Sequence, residues 1–337
     1  MELSRPRRTA SALAGRAVDA LPSGAGRRVR AALGRPGPRR LHIDELDAEL
    51  HRATALMATA PDEAHALLGS FVLALPSSPP ADPFSDLYRE WTWALYRRIS
   101  GRDSYDTSHE ASPFDLELAR ERPFPYQSGS LTMVGRDLAA RGHLLSCLAE
   151  LAPRRVVEFG PGWGNVTGDL VATGLDVTAV EVDENFCRLV AERGHGPGSL
   201  SVERADMLTF VTAERFDAAV FYESFHHCAD HLDMLRHLHG IVRPEGAVFF
   251  AAEPVQRLGY PWGPRLDGLS VWSSRTHGWL ELGFDEHYFF EALARTGWRG
   301  ERHRAGARPG ETDVIVARSA PPRGDTAKDL ARGRARA

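Results

Sequence analysis

Cysteine is scarce in this chain of 337 residues: Cys147, Cys187 and Cys228 are all it has. They stand too far apart for a disulfide framework or a CxxC zinc site, which points to a reducing compartment, with the cytoplasm as the expectation. Lysine is scarcer still. Lys328 is the only one, so nearly every cation is an arginine, which reads as the codon bias of a GC-rich bacterial genome. No apolar run approaches the roughly 18 to 20 residues that cross a bilayer, and no compact apolar stretch with a cleavage site stands near the N-terminus. A membrane span and secretion are therefore not expected. An excess of positive charge is also missing. A net charge of −4 and a pI of 6.4 leave no overall basic field to hold a nucleic-acid backbone, so nucleic acid is not the expected substrate.

What remains is an ordinary globular composition, 43% hydrophobic and 26% charged, with material for one large or two smaller domains. Residues 1–40 form an arginine-rich leader interrupted by Pro, Gly and Ser. It is expected to be disordered, with an organelle presequence or an anionic-membrane anchor as the other readings. Residues 41–133 read as a helical cap and a pre-core segment, because apolar residues recur at helical spacing. Leu46, Leu50, Ala53 and Leu56 mark one helix, Ala66, Leu67, Phe71 and Leu75 a second, and Leu87, Trp91, Leu95 and Tyr96 a third. A Pro- and Ser-rich loop, 76–83, separates the last two, and 101–113 is a polar connection. Residues 134–318 change rhythm. Short β-branched or apolar runs at 155–159, 177–181, 200–203, 216–222, 246–252 and 313–317 alternate with helical patterns, which predicts an α/β fold with a mostly parallel sheet covered on both faces. Ligands of such sheets bind beyond the carboxyl ends of the strands. The tail, 319–337, is polar and expected to be disordered.

The first of these strands ends in Val156-Val157-Glu158 and runs into Gly160-Pro161-Gly162-Trp163-Gly164-Asn165 before a helix opens. Glycine there lets a ligand approach the backbone, and the helix that follows offers free N–H groups. A glycine-rich turn alone is shared with nicotinamide and flavin folds, so its acids must discriminate. Glu158 precedes the glycines, where a carboxylate suits an ammonium and would repel a pyrophosphate. Glu181 closes the next strand, placed to accept from ribose hydroxyls, with Asp183 as the neighbouring alternative. Asp206 follows the third strand, placed for an adenine amine, with Val182 and Met207 to sandwich the ring. An ammonium, a diol and an amine describe a cationic nucleoside joined to an amino acid.

With these landmarks, and with Phe-Asp-Ala-Ala-Val-Phe-Tyr-Glu-Ser-Phe-His-His at 216–227 and the Arg-Pro-Glu-Gly turn at 243–246, the chain resembles the class I S-adenosylmethionine (SAM)-dependent methyltransferases over about residues 135–317. The resemblance implies a Rossmann-like, doubly wound, seven-stranded sheet ending in an antiparallel edge strand, SAM as cofactor, and methyl transfer to a small-molecule acceptor, O-methylation first. N- or C-methylation, a non-catalytic SAM-binding partner and a nicotinamide oxidoreductase are the alternatives. His227 matches the position of a histidine common in small-molecule O-methyltransferases of this family, which makes it the first candidate for the base, with His226 second; one or both could instead cap a helix or touch the cofactor. Tyr222 and Glu223 leave the fourth strand beside the cofactor, and Tyr126 lies in a segment resembling the one that folds over SAM in relatives. Glu223, His226, His227 and His231 resemble a Glu-x-x-Glu-His metal cluster in which His226 replaces the second Glu; this loses a hard oxygen ligand and weakens the case for a divalent metal. Residues 255–284 form an insertion with three tryptophans, long enough to be an acceptor pocket. Trp262, Arg265, Asp267, Trp272 and Arg275 are its candidate substrate contacts. The oligomeric state is left open.

Overall fold

The computed structural model describes residues 37–111, 114–305 and 312–320. Most of the expected leader and tail, including Lys328, lies outside these residues. Arg39 and Arg40, counted with the leader, are strand instead. β1 (Arg39–Leu41) runs parallel to β2 (Phe71–Leu73), with Leu41 opposite Leu73. Phe71 thus leaves the helix that periodicity gave it. Between these strands stand α1 (Leu46–Thr59) and α2 (Pro61–Leu68), and α2 closes at Gly69. Phe71 and Leu73 then alternate inward around half-buried Val72, the two-residue period of a strand.

α3 (Asp86–Ser100) follows the Pro-rich loop. Ser85 caps it by accepting from the Tyr88 amide at 3.3 Å, and Gly101 ends it in the left-handed conformation, φ 70°. Its inner face is Tyr88, Thr92, Leu95, Tyr96 and Ile99. The polar connection after it contains a 3₁₀ turn, Thr107–Glu110, and leads to α4 (Leu116–Glu121), a second turn at Tyr126–Ser128, and the long α5 (Leu131–Leu151).

The sheet domain then alternates as expected: β3 (Arg155–Phe159), α6 (Asn165–Ala172), β4 (Asp176–Glu181), α7 (Glu184–Ala191), β5 (Ser199–Arg204), β6 (Phe216–Tyr222), a 3₁₀ turn at Phe225–His227, α8 (His231–Ile241) and β7 (Val242–Ala251). The insertion contributes β8 (Val255–Gln256), β9 (Trp262–Pro264), α9 (Gly268–His277) and β10 (Leu282–Asp285), paired as β8-β10-β9. α10 (Glu286–Arg295), β11 (Trp298–His303) and β12 (Val314–Ser319) complete the chain.

The large sheet has the order β11-β12-β7-β6-β3-β4-β5, seven strands of which only β12 runs against its neighbours. The fold is the Rossmann-like one expected, with one correction. The antiparallel strand is not the edge: β12 slots between β7 and β11, and β11, which the sequence reading passed over, is the edge. Trp298-Arg-Gly-Glu-Arg-His is too polar to show a buried-strand pattern, as an edge strand can be. Across the middle of the sheet Phe159, Phe221 and Phe250 stack on neighbouring strands, with ring centroids 5.0 and 5.4 Å apart. Each is fully buried and contributes about 2–3 kcal/mol by burial, with a further increment from stacking.

The cap and the insertion share one core. Val271 is buried with Leu41, Leu46, Leu68, Phe71, Leu95 and Ile99, and Leu266 and Trp272 pack against them. The Leu73 amide donates to the Leu266 carbonyl at 2.7 Å. The unit beside the sheet is therefore built from two stretches of chain about 150 residues apart. No helix of the described residues is long and apolar enough to cross a membrane.

Candidate active site

The turn after β3 carries three glycines in the left-handed region, at φ 64°, 49° and 71° for Gly160, Gly162 and Gly164. Their reasons differ. A Cβ on Gly160 would stand 2.7 Å from the Ser224 Cβ, and one on Gly164 2.9 Å from the Arg193 side chain. One on Gly162 would meet nothing within 4 Å and would project into open space. Gly162 is thus the rim of a cradle that a side chain would fill.

Glu181, at the end of β4, lies against this rim. One carboxylate oxygen accepts from the Val182 and Asp183 amides at 2.7 and 3.0 Å, the other from the Gly162 amide at 3.2 Å. Burial raises its pKa despite these bonds. Asp183 accepts from the amides of Asn185 and Phe186 and caps α7, so of the two acids Glu181 is the one that faces the turn. Glu158 points into the layer between β3 and α6 and accepts from the Thr167 hydroxyl at 2.5 Å. Burial, with the charges of Asp169 and Glu181 adding to it, lifts its pKa to about 7. A local surplus of carboxylate of this kind would be relieved by a ligand ammonium. Asp206 accepts from the Leu208 amide at 2.7 Å, and Val182 and Met207 are half-buried at the ends of β4 and β5. A glycine cradle open at Gly162, with the Glu181 carboxylate on its rim and a buried carboxylate surplus behind it, fits a cationic ligand such as SAM.

Two other residues named for this end are held by protein, and a third is not. The Tyr222 hydroxyl donates to Asp137 at 2.9 Å, and Asp137 also pairs with buried Arg141. Asn165 donates to the Phe124 carbonyl at 2.8 Å, which ties the pre-core segment over the start of α6. Tyr126 stands half-exposed on the next turn of that segment. Pro161 and Trp163 fill the turn between the glycines, and Trp163 gathers Phe114, Phe124 and Phe186 around it. Glu223 is exposed with φ 49°. Sequence reasoning missed Thr167, Asp137 and Arg141, which no local motif marks.

Beyond β6 lies a second constellation. The Phe225–His227 turn is held by Glu253, which follows β7 and is buried. Its carboxylate accepts from the amides of Ser224, Phe225 and His226 at 2.8, 2.7 and 3.2 Å, and from His226 Nδ1 at 2.8 Å. Burial opposes the charge on Glu253, but His226 and these amides outweigh it and lower the pKa. His227 lies beside His226, ring centroids 4.3 Å apart, and its Nδ1 is 2.9 Å from Glu110 Oε2. Glu110 arrives from the 3₁₀ turn of the polar connection and accepts from the Leu280 amide at 2.9 Å. Glu281 closes the group, 3.9 Å from His226 Nε2 and 3.8 Å from Arg265. Burial works against a charged His227; Glu110, then Glu281 and Glu253, override it and lift the pKa to about 9.

The proposed quartet of metal ligands is not assembled. His231 turns away to the Tyr288 hydroxyl, 2.6 Å from its Nε2, and burial, with Arg89 adding to it, pushes its pKa down to about 3. Among the described residues no group of three or more His, Cys, Asp or Glu is arranged to hold a metal ion.

The insertion residues divide. Arg265 reaches Asp267 at 3.0 Å and Glu281, beside the histidines, while Asp267 also caps α9. Trp262 is buried, its indole donating to the Pro83 carbonyl at 2.9 Å. Trp272 donates to the Thr54 hydroxyl at 3.0 Å, and Arg275 to the Ile99 carbonyl at 2.6 Å while pairing with Asp47. The last three fasten the insertion to the cap.

Residues 157–250 match the family described as "Methyltransferase domain". The uncharacterized methyltransferase YrrT of Bacillus subtilis (strain 168) is 27% identical over 175 residues, which is 47% of this chain and 76% of that protein. Ribosomal RNA small subunit methyltransferase A of Synechococcus sp. (strain JA-2-3B'a(2-13)) is 49% identical over 41 residues, 12% of this chain and 14% of that protein, so the chain spans only a small part of this relative. Among solved structures, a DhpI–SAH complex superposes with a TM-score of 0.44 at 18% identity, covering 61% of this chain and 95% of that one.

Proposed function

We propose that this chain, which carries a class I SAM-dependent methyltransferase domain, methylates a hydroxyl of a small metabolite, sugar or natural product, with His227 as the base. The observation that carries the reading is the Glu110–His227 pair at the exit of β6, 2.9 Å apart and largely shielded from solvent. Bound SAM supplies a methyl group already activated on sulfur, so the chain must hold the partners in line and remove one proton. Glu181 would hold the ribose and Asp206 the adenine amine. Glu158 would face the ammonium, with Val182, Met207, Tyr222, Glu223 and Tyr126 completing the cofactor's surroundings.

Glu110 stands against the Nδ1 side of the His227 ring, so on this reading Nε2 would take the hydroxyl proton. Glu253 fixes the turn that aims it. Arg265 and Asp267 stand where an acceptor's polar groups would meet the insertion, while Trp262, Trp272 and Arg275 support that wall from the cap. Glu110, Glu253 and Glu281 make the pocket hostile to a phosphate backbone, which favours a small acceptor over the RNA that the name of the Synechococcus relative implies for that protein.

The high pKa of His227 also supports a second reading, in which an amine acceptor is drawn in by the three carboxylates, loses its proton to solvent and attacks as the free base without His227. Release of S-adenosylhomocysteine (SAH), followed from about pH 6 to about pH 10 with hydroxyl and amine acceptors, separates the two. A rate that climbs to a plateau above about 9 and collapses in His227→Ala supports hydroxyl transfer. An amine-only activity indifferent to His227→Ala assigns nitrogen. Failure to bind SAM removes both.

A further inference from the structure

A cleft of about 310 Å³ opens between α3 and the loop after β6, apart from the glycine turn. Arg89, Trp93 and Arg97 of α3, spaced four residues apart, stand in line along one helix face toward it, with Tyr96 beside them and Tyr105 and Asp230 opposite. Trp93 and Tyr105 stack, ring centroids 5.9 Å apart and planes 19° from parallel, and Tyr96 meets both edge-on. Arg89 is paired with Asp230. Arg97 is exposed, and among the described residues its guanidinium has neither an ion pair nor a hydrogen bond.

The indole of Trp93 is also uncommitted. Trp91, Trp262, Trp272 and Trp298 each donate their N–H to a protein oxygen at 2.7 to 3.0 Å. Trp93 has no such acceptor among the described residues, a condition it shares with Trp163 on the cofactor turn. An aromatic platform with an unused N–H and an unused guanidinium one helical turn away is complementary to a flat ring that carries negative charge.

We propose that this cleft binds an aromatic or sugar ring bearing an oxyanion, a carboxylate or a phosphate, with the ring against Trp93 and Tyr105 and the anion on Arg97. The cleft is not remote from the histidines. The Tyr105 hydroxyl makes a long hydrogen bond, 3.4 Å, to the His227 carbonyl and also contacts Glu110. A ring pressed on Tyr105 is therefore felt at the Glu110–His227 pair. The ligand is either the far end of the acceptor or a separate effector with the same chemistry.

Calorimetric titration of the full chain with phenyl phosphate, phenol and inorganic phosphate tests the site. Phenyl phosphate should bind more tightly than either half, and Arg97→Gln, on an exposed side chain, should weaken it about tenfold or more. Trp93→Leu should weaken phenyl phosphate and phenol together. A chain that does not bind phenyl phosphate, or binds it equally well after Arg97→Gln, overturns the proposal. SAM binding measured on the same samples keeps this failure distinct from failure of the methyl-transfer reading. With 3-hydroxyphenyl phosphate and SAM present, SAH release dependent on Arg97 assigns the cleft to the acceptor, and binding without release assigns it to an effector.

Discussion

The glycine turn with its acids and the histidine pocket lie along the carboxyl edge of the same parallel sheet, the first beyond β3, β4 and β5 and the second beyond β6 and β7, yet they are built in opposite ways. The first is local. Gly160 to Gly164, Glu181 and Asp206 each sit within a few residues of the strand that presents them, and their partners are mostly backbone amides. The histidine pocket is assembled from four distant places: Glu110 before the sheet, His226 and His227 after β6, Glu253 after β7, and Glu281 at the end of the insertion. Backbone recognition tolerates almost any neighbouring fold. A buried histidine with a raised pKa needs charges brought in from elsewhere.

Substitutions can break that contrast. The largest effect belongs to His227→Ala, which should lower turnover by about 10²–10⁴ while SAM affinity stays near wild type; equal losses in both would merge the two regions into one. Next, Glu253→Ala should destabilise the fold by about 3–5 kcal/mol, because His226 and three amides lose a buried acceptor, as urea unfolding would read. Glu181→Ala should weaken SAM by about 1.5–3 kcal/mol in calorimetry and leave the pH dependence of turnover unmoved.

The smallest effect is also the most diagnostic. Glu110→Gln removes the leading charge that raises the pKa of His227, so the rising limb of kcat/KM should move from about 9 toward acid. The sign in stability follows from the same shift. A folded pKa above the unfolded 6.5 means that the pair stabilises fully below about 6.5 and is lost as pH climbs through about 9. Wild type should lose urea resistance over that window more steeply than Glu110→Gln does; parallel curves would show that Glu110 does not set the charge of His227.

The comparison also marks what could be read from the residues. The glycine turn and its acids were legible because each announces itself in a short window: a strand, a turn that only glycine fits, a carboxylate at the strand end. His226 and His227 were legible as residues but not in their partners. Glu110 sits in a polar connection that composition gives no reason to notice, and Glu253 and Glu281 look like ordinary surface acids until the chain folds them inward. Trp262, Trp272 and Arg275 show the reverse error of emphasis: aromatic and cationic residues in a long insertion suggest an open pocket, whereas much of what they touch is Pro83, Thr54, Ile99 and Asp47 of the cap.

The sequence by itself determined the alternation of strand and helix, and with it the parallel sheet and the glycine turn at its carboxyl edge, because those depend on periodicity and on backbone conformations that few residues can adopt. Only the tertiary structure decided that β12 slips between β7 and β11 and that the cap and the insertion close over a common core. It alone set a carboxylate beside His227. Pairings between segments a hundred or more residues apart leave no periodic trace in either segment, and the charge state of a histidine depends on burial and neighbours that exist only once the chain has folded.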